Sequence, residues 1–86
     1  MPAILLHRID PERNEKRFYW IQIGPSLLEP YVVLRIWGRI GGQQRGRVTP
    51  CASAAEAGRV AARLVRHRLR RGYRPVTAEG GLIDAG

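Results

Sequence analysis

Five residues of this chain have the types and spacing to do chemistry together: Arg35, Trp37 and Arg39, followed by Arg45 and Arg47. Successive side chains of an extended strand point to opposite faces. Tyr31, Val33, Arg35, Trp37 and Arg39 therefore share one face, and Val32, Leu34, Ile36 and Ile40 the other. The second set reads as a core face. The first resists burial, because taking two unpaired guanidiniums out of water costs far more than burying one indole returns. Trp37 is expected to lie at least partly in solvent, between two cations. An exposed indole stacks on a base or sugar, worth ~1–3 kcal/mol per base, while flanking arginines bind phosphate. The pattern suits a negatively charged, ring-bearing ligand. The plainer alternative is a tryptophan covering the edge of a small sheet, with arginines as a solvated face.

The return strand adds two cations. Gly41-Gly42 marks a tight turn, after which residues 44–49 come back as a strand. Placing Val48 on the face of Val32, Leu34 and Ile36 requires an odd number of loop residues, three being the simplest. A two-residue turn would put Val48 among the arginines. The three-residue loop sets Arg45 opposite Arg39, Arg47 opposite Trp37 and Thr49 opposite Arg35. Like charges directly across a ladder are unfavourable by up to ~1 kcal/mol. A bound anion reverses that sign.

These residues need a scaffold. Residues 3–9 read as a strand ending at the Asp10-Pro11 turn, and residues 16–24 as a second strand, apolar on both faces and hence central. Residues 24–30 form a loop with prolines near both ends. Residues 53–71 are a helix: Ser53 and Glu56 make a capping box, and Gly72 supplies the stop. Ala57, Val60, Ala61, Leu64, Val65 and Leu69 fill one side, and Arg59, Arg63, Arg66 and Arg70 form a stripe opposite. The helix is expected to pack on the core face of the sheet, with its arginine stripe on the side of the domain away from Trp37. Arg68 falls within the apolar sector and is expected to snorkel out. The architecture is α+β: a four- to five-stranded antiparallel sheet with one long helix on one face. Residues 1–76 form the domain, and residues 77–86 read as a flexible tail.

Composition narrows the function. The chain has 86 residues, 15 basic against 7 acidic, and a net charge of +8. Polyanions are the matching partner class. Fourteen of the bases are arginine and Lys16 is the one lysine; arginine forks onto phosphate and stacks on rings, although GC-rich coding produces the same bias. No stretch approaches the ~18 apolar residues of a membrane span, and the apolar run of residues 2–6 is too short for a secretory signal. The lone Cys51 cannot form an internal disulfide, which fits a cytoplasmic location. His7 and His67 have no carboxylate or cysteine at metal-ligand spacing, and Gly41, Gly42 and Gly46 are not followed by a Walker lysine. Neither catalysis nor a cofactor is expected.

Four segments, in order, carry a resemblance. Asp10-Pro11-Glu12-Arg13-Asn14, Arg17-Phe18-Tyr19, Arg35-Ile36-Trp37-Gly38-Arg39-Ile40-Gly41 and Leu69-Arg70-Arg71-Gly72-Tyr73 resemble the WGR domain, over roughly residues 4–75. WGR domains occur in poly(ADP-ribose) polymerases that sense DNA breaks and in small bacterial proteins. The resemblance implies an antiparallel sheet with one helix. It also implies that Trp37 stacks near a terminal nucleotide and that Gly38 permits close backbone approach. In the polymerases the signature arginine also makes domain-to-domain contacts, so for Arg39 a phosphate role and a protein-docking role both stay open. The 86 residues contain no zinc finger and no transferase domain, so polymerase activity is not implied.

The sequence thus predicts a stand-alone, bacterial-type nucleic-acid-binding module, cytoplasmic or nucleoid-associated. It is expected to prefer DNA over RNA, and ends or nicks, without base specificity. Trp37 would stack, and Arg35, Arg39, Arg45 and Arg47 would contact phosphate, with Lys16, Arg17 and Asn14 contributing from the neighbouring turn. The alternative is a regulatory module docking an acidic protein partner through the same face.

Overall fold

The computed structural model describes residues 3–26 and 29–76. The chain folds as β1 (Ala3–Asp10), a 3-10 turn (Pro11–Arg13), β2 (Glu15–Gly24), β3 (Val32–Arg39), β4 (Gln44–Pro50), α1 (Ala54–Arg70) and β5 (Arg74–Pro75). The strands form one antiparallel sheet in the order β4-β3-β2-β1-β5. The α+β architecture expected from the sequence is the one observed. The proposed tail, residues 77–86, lies outside the described residues.

Local chemistry accounts for the boundaries. Pro11 opens the 3-10 turn, where its fixed φ is an advantage, and Asn14 closes it at φ 54, a left-handed conformation that Asn tolerates. At the start of α1 the Ser53 hydroxyl accepts from the Glu56 N–H at 3.1 Å, and the Glu56 carboxylate reaches back to the Ala52 N–H at 2.6 Å. The first bond is that of the expected capping box; the return bond falls one residue earlier, on the N–H before the N-cap Ser53. The helix ends with Tyr73 N–H on the Arg68 carbonyl and Gly72 N–H on the Leu69 carbonyl, both at 3.1 Å, with Gly72 at φ +97. This Schellman closure drops Tyr73 into the core and starts β5.

The core is built from Leu6, Tyr19, Ile21, Val33, Cys51, Ala57 and Tyr73, with Val60, Ala61, Leu64 and Val65 of α1 packed against it. Register shows which face this is. Leu6, Tyr19, Trp37 and Arg45 align across the sheet, as do Ile4, Ile21, Arg35 and Arg47. The helix therefore packs on the face that carries Arg35 and Trp37, which reverses the expectation that Val32, Leu34 and Ile36 form the core side. Val32 is buried but stands outside the core cluster, and Val48 is 53% exposed. The helix stripe of Arg59, Arg63, Arg66 and Arg70 accordingly lies on the same side of the domain as Trp37, not opposite it.

The reason is width. Five strands at ~4.8 Å spacing span roughly 19 Å, whereas a helix with side chains is ~10–12 Å across. One face can thus hold both a helix and an uncovered strip. The cost of burying guanidiniums still operates: Arg39, Arg45 and Arg47 are exposed, and Arg35 is half-buried. Burial of the face did not require burial of its arginines.

The β3–β4 register also differs from expectation by two residues. Trp37 pairs with Arg45, Arg35 with Arg47, and Val33 with Thr49. The three-residue loop exists, but it is residues 40–42: Arg39 N–H bonds the Gln43 carbonyl at 3.3 Å and Gly42 N–H the Arg39 carbonyl at 2.9 Å. Gly41, at φ +80, takes the left-handed position of that turn. The parity was right, and Val48 does share a face with Leu34.

Candidate nucleic-acid interface

The signature tryptophan stands on β3, half-buried, with Tyr19 of β2 at its side; the ring centroids are 6.5 Å apart and the planes inclined by 38°. Arg35, two residues earlier on the same face, places its guanidinium carbon 5.5 Å from the indole centroid. That is within cation–π range. The expectation of a partly exposed Trp37 beside cations holds, with one refinement. Trp37 is also part of the core margin, so its position is set by packing against Tyr19 as well as by charge.

A cleft of about 420 Å³ opens beside it, lined by Glu15, Arg17, Trp37, Gly38, Arg39, Gln43 and Arg45. Arg17 faces Arg39 across the β2–β3 ladder, and Arg35 faces Arg47 across β3–β4. Arg8 extends the first of these rows by pairing with Arg17. Glu15 offsets part of that row: its carboxylate lies 3.7 Å from Arg8 and 4.0 Å from Arg17. Among the described residues, Arg35, Arg39, Arg45 and Arg47 have no carboxylate partner within ion-pair distance. The buried Nε of Arg35 has no hydrogen-bond partner there either.

Arg39 has a second attachment. Its guanidinium donates to the Asn14 carbonyl at 3.0 Å, and the next residue's N–H, that of Ile40, bonds the Lys16 carbonyl at 2.8 Å. These contacts tie the end of β3 to the β1–β2 turn. One of five guanidinium donors is thereby used, leaving the others for a ligand. Gly38 has a reason internal to the hairpin: a Cβ there would overlap the Gln43 carbonyl oxygen and crowd the Gln44 backbone. Close approach is required, but by the chain's own return strand.

Arg17, Arg35, Trp37, Arg39, Arg45 and Arg47 thus come together on one face. Asn14 joins them through its backbone carbonyl. Lys16 does not, because it alternates with Arg17 and stands on the opposite face of β2. Sequence reasoning missed Arg8, Glu15, Gln43 and Tyr19 as neighbours. The alignment of Arg8 with Arg17 was available from the short Asp10–Glu15 connection, whereas Gln43 depends on the exact hairpin closure. Arg68 was misjudged too: instead of snorkelling away, it lies 4.3 Å over the Tyr19 ring and 5.4 Å from that of Tyr73. The tyrosine beside Trp37 thus has a cation over its ring.

Among the described residues there is no cluster of three metal-ligating side chains, and no helix is long and apolar enough to cross a membrane. No solved structure gives a significant match. An uncharacterised protein, y4dW, of the bacterium Sinorhizobium fredii (strain NBRC 101917 / NGR234) is 38% identical over 72 residues. That alignment takes in 84% of this chain but 35% of the relative, so the chain spans about a third of the relative's length. The family model described as WGR domain matches residues 3–80. WGR domains are a non-catalytic module family, known for nucleic-acid binding in poly(ADP-ribose) polymerases. With the signature tryptophan, glycine and arginine at the centre of a cationic face, and the match running over nearly the whole chain, this protein belongs to the WGR domain family.

Proposed function

We propose that this domain binds nucleic acid, preferring DNA ends or nicks, through the strip of sheet that α1 leaves uncovered, without reading base sequence. The observation that carries the reading is the row structure around Trp37: arginine faces arginine at Arg17–Arg39 and at Arg35–Arg47. Each such pair is unfavourable in the free domain, and phosphate oxygens between the guanidiniums convert repulsion into charge-assisted hydrogen bonds. The half-buried indole, held by Tyr19, offers its remaining surface to a terminal base or sugar. A duplex interior hides its base faces within the stack; an end or a nick presents one.

In this reading Trp37 stacks, while Arg35, Arg39, Arg45 and Arg47 contact phosphate. Arg17 and the Asn14 turn border the site, and Lys16 contributes only long-range attraction. Four neutralised phosphates imply a slope of roughly −3.6 in log affinity against log salt on duplex. The deciding experiment is a gel shift of Trp37→Ala on nicked and intact duplex. Loss of nick preference with general affinity retained is the expected result. Equal loss on both substrates, or an affinity insensitive to salt, refutes the mechanism.

A further inference from the structure

An apolar groove of about 410 Å³ runs between the first half of α1 and the β1–β2 side of the sheet, sharing no residue with the cleft at Trp37. Ile4, Ile21 and Ile23 line it from the sheet, Gly58 and Ala61 from the helix. Arg66 is the one charged side chain among its described walls. A Cβ added at Gly58 would meet no atom within 4 Å. Glycine inside a helix is destabilising relative to alanine, and no described neighbour requires it there. A segment seated against that wall supplies the reason.

Reach and charge select the occupant. Leu6 pairs with Pro75, and the Val76 N–H bonds the Leu5 carbonyl at 3.0 Å. The described chain therefore ends running along β1 towards Ile4, at the rim of the groove. Ile23, its far wall, is two strands over and three register positions on, roughly 14 Å from Val76. Leu82 follows Val76 by six residues, a tether of up to roughly 20 Å. Gly80-Gly81 just before it is turn chemistry. Residues 77–86 carry the acids Glu79 and Asp84 and no cation, and Leu82-Ile83 are their only large apolar side chains. Among the described residues Arg66 has no carboxylate within ion-pair distance. A second copy would instead bring Arg59, Arg63, Arg66 and Arg70 against their own images. A nucleic acid would find one cation on an apolar wall. We propose that Leu82 and Ile83 of the same chain dock in this groove against Ile4, Ile21 and Ile23, with Asp84 on Arg66. Tethering gives the segment an effective concentration in the millimolar range, so partial burial of two aliphatic side chains holds it. The flexible tail expected from the sequence is then anchored at one point. This does not rest on the nucleic-acid role of Trp37.

Nuclear magnetic resonance of the full chain, with leucine and isoleucine methyls labelled, makes the test direct. Nuclear Overhauser contacts from Leu82 or Ile83 methyls to those of Ile4, Ile21 or Ile23, persisting on dilution, are the expected result. Their absence overturns the proposal. Contacts that fade on dilution overturn it too, and assign the groove to a second copy. Leu82→Ser with Ile83→Ser should raise the unfolding constant in urea by between about fivefold and about fiftyfold. An unchanged constant overturns the proposal as well. The charge contact has its own readout: Asp84→Ala should raise that constant in the parent chain but not in an Arg66→Ala background. An equal effect of Asp84→Ala in both backgrounds refutes the Arg66–Asp84 contact.

Discussion

Trp37 and Trp20 occupy opposite faces of one small sheet, and the contrast between them separates charge from burial. Trp37 packs beside Tyr19 on the helix side, with Arg35, Arg45 and Arg17–Arg39 at adjoining positions. Trp20 lies between Leu5 and Ile36 on the face without a described helix. Both are half-buried. Burial alone does not distinguish them; their neighbours do. Trp37 has a cationic surround, the one the proposed phosphate-binding role requires, whereas the surround of Trp20 is aromatic and aliphatic. The helix side combines two environments, a covered half that forms the core and a bare half that carries the arginines around Trp37, because one helix is narrower than five strands.

The contrast can be broken first through stability. Tyr19 is fully buried, and Tyr19→Ala should cost about 3–5 kcal/mol in urea unfolding. Trp20→Ala, on the open face, should cost less than about 2 kcal/mol. Equal losses would mean that the open face is as much a core as the helix face. Next in size is Gly38→Ala, which forces the Gln43–Gln44 backbone away and should destabilise by about 2–3 kcal/mol. It should also weaken duplex binding by displacing Arg45.

Binding sharpens the comparison further. Arg45→Ala with Arg47→Ala should reduce the salt slope on duplex from near −3.6 to roughly −1.8. Arg59→Ala with Arg63→Ala, on the outer helix stripe, should leave it nearly unchanged even though those residues share a side of the domain with Trp37. A slope reduced equally by both pairs would make the charge diffuse and the site unspecific. The smallest effect has opposite signs in its two readouts. Arg47→Thr relieves the Arg35–Arg47 repulsion and should stabilise the free domain by up to ~1 kcal/mol, while lowering affinity for duplex. A loss of both stability and affinity would show that the pair is already compensated in the free protein.

Much of the fold is legible in the sequence. The capping residues Ser53 and Glu56 and the stop at Gly72 are local chemistry, and α1 starts and ends where they dictate. Strand positions followed from alternation and turn residues. The grouping of Arg35, Trp37 and Arg39 on one face is a consequence of period two alone, as is the pairing of Val48 with the face of Leu34. The two-residue error in the hairpin arose because Gly41-Gly42 allows closure at more than one position; the Arg39–Gln43 contact and the close fit at Gly38 decided it.

The sequence by itself determined which residues travel together: a tryptophan with its arginines, an amphipathic helix, and a family signature spanning the chain. Period and propensity act over a few residues, and they are written in the chain. Only the tertiary structure decided which face of the sheet the helix would take. That choice depends on the summed apolar area of Leu6, Tyr19, Ile21 and Val33 from three strands, matched against Ala57, Val60, Ala61, Leu64 and Val65 of α1. No single strand carries that sum. The same non-local choice put Trp37 beside the core and Phe18 and Trp20 on the face away from α1.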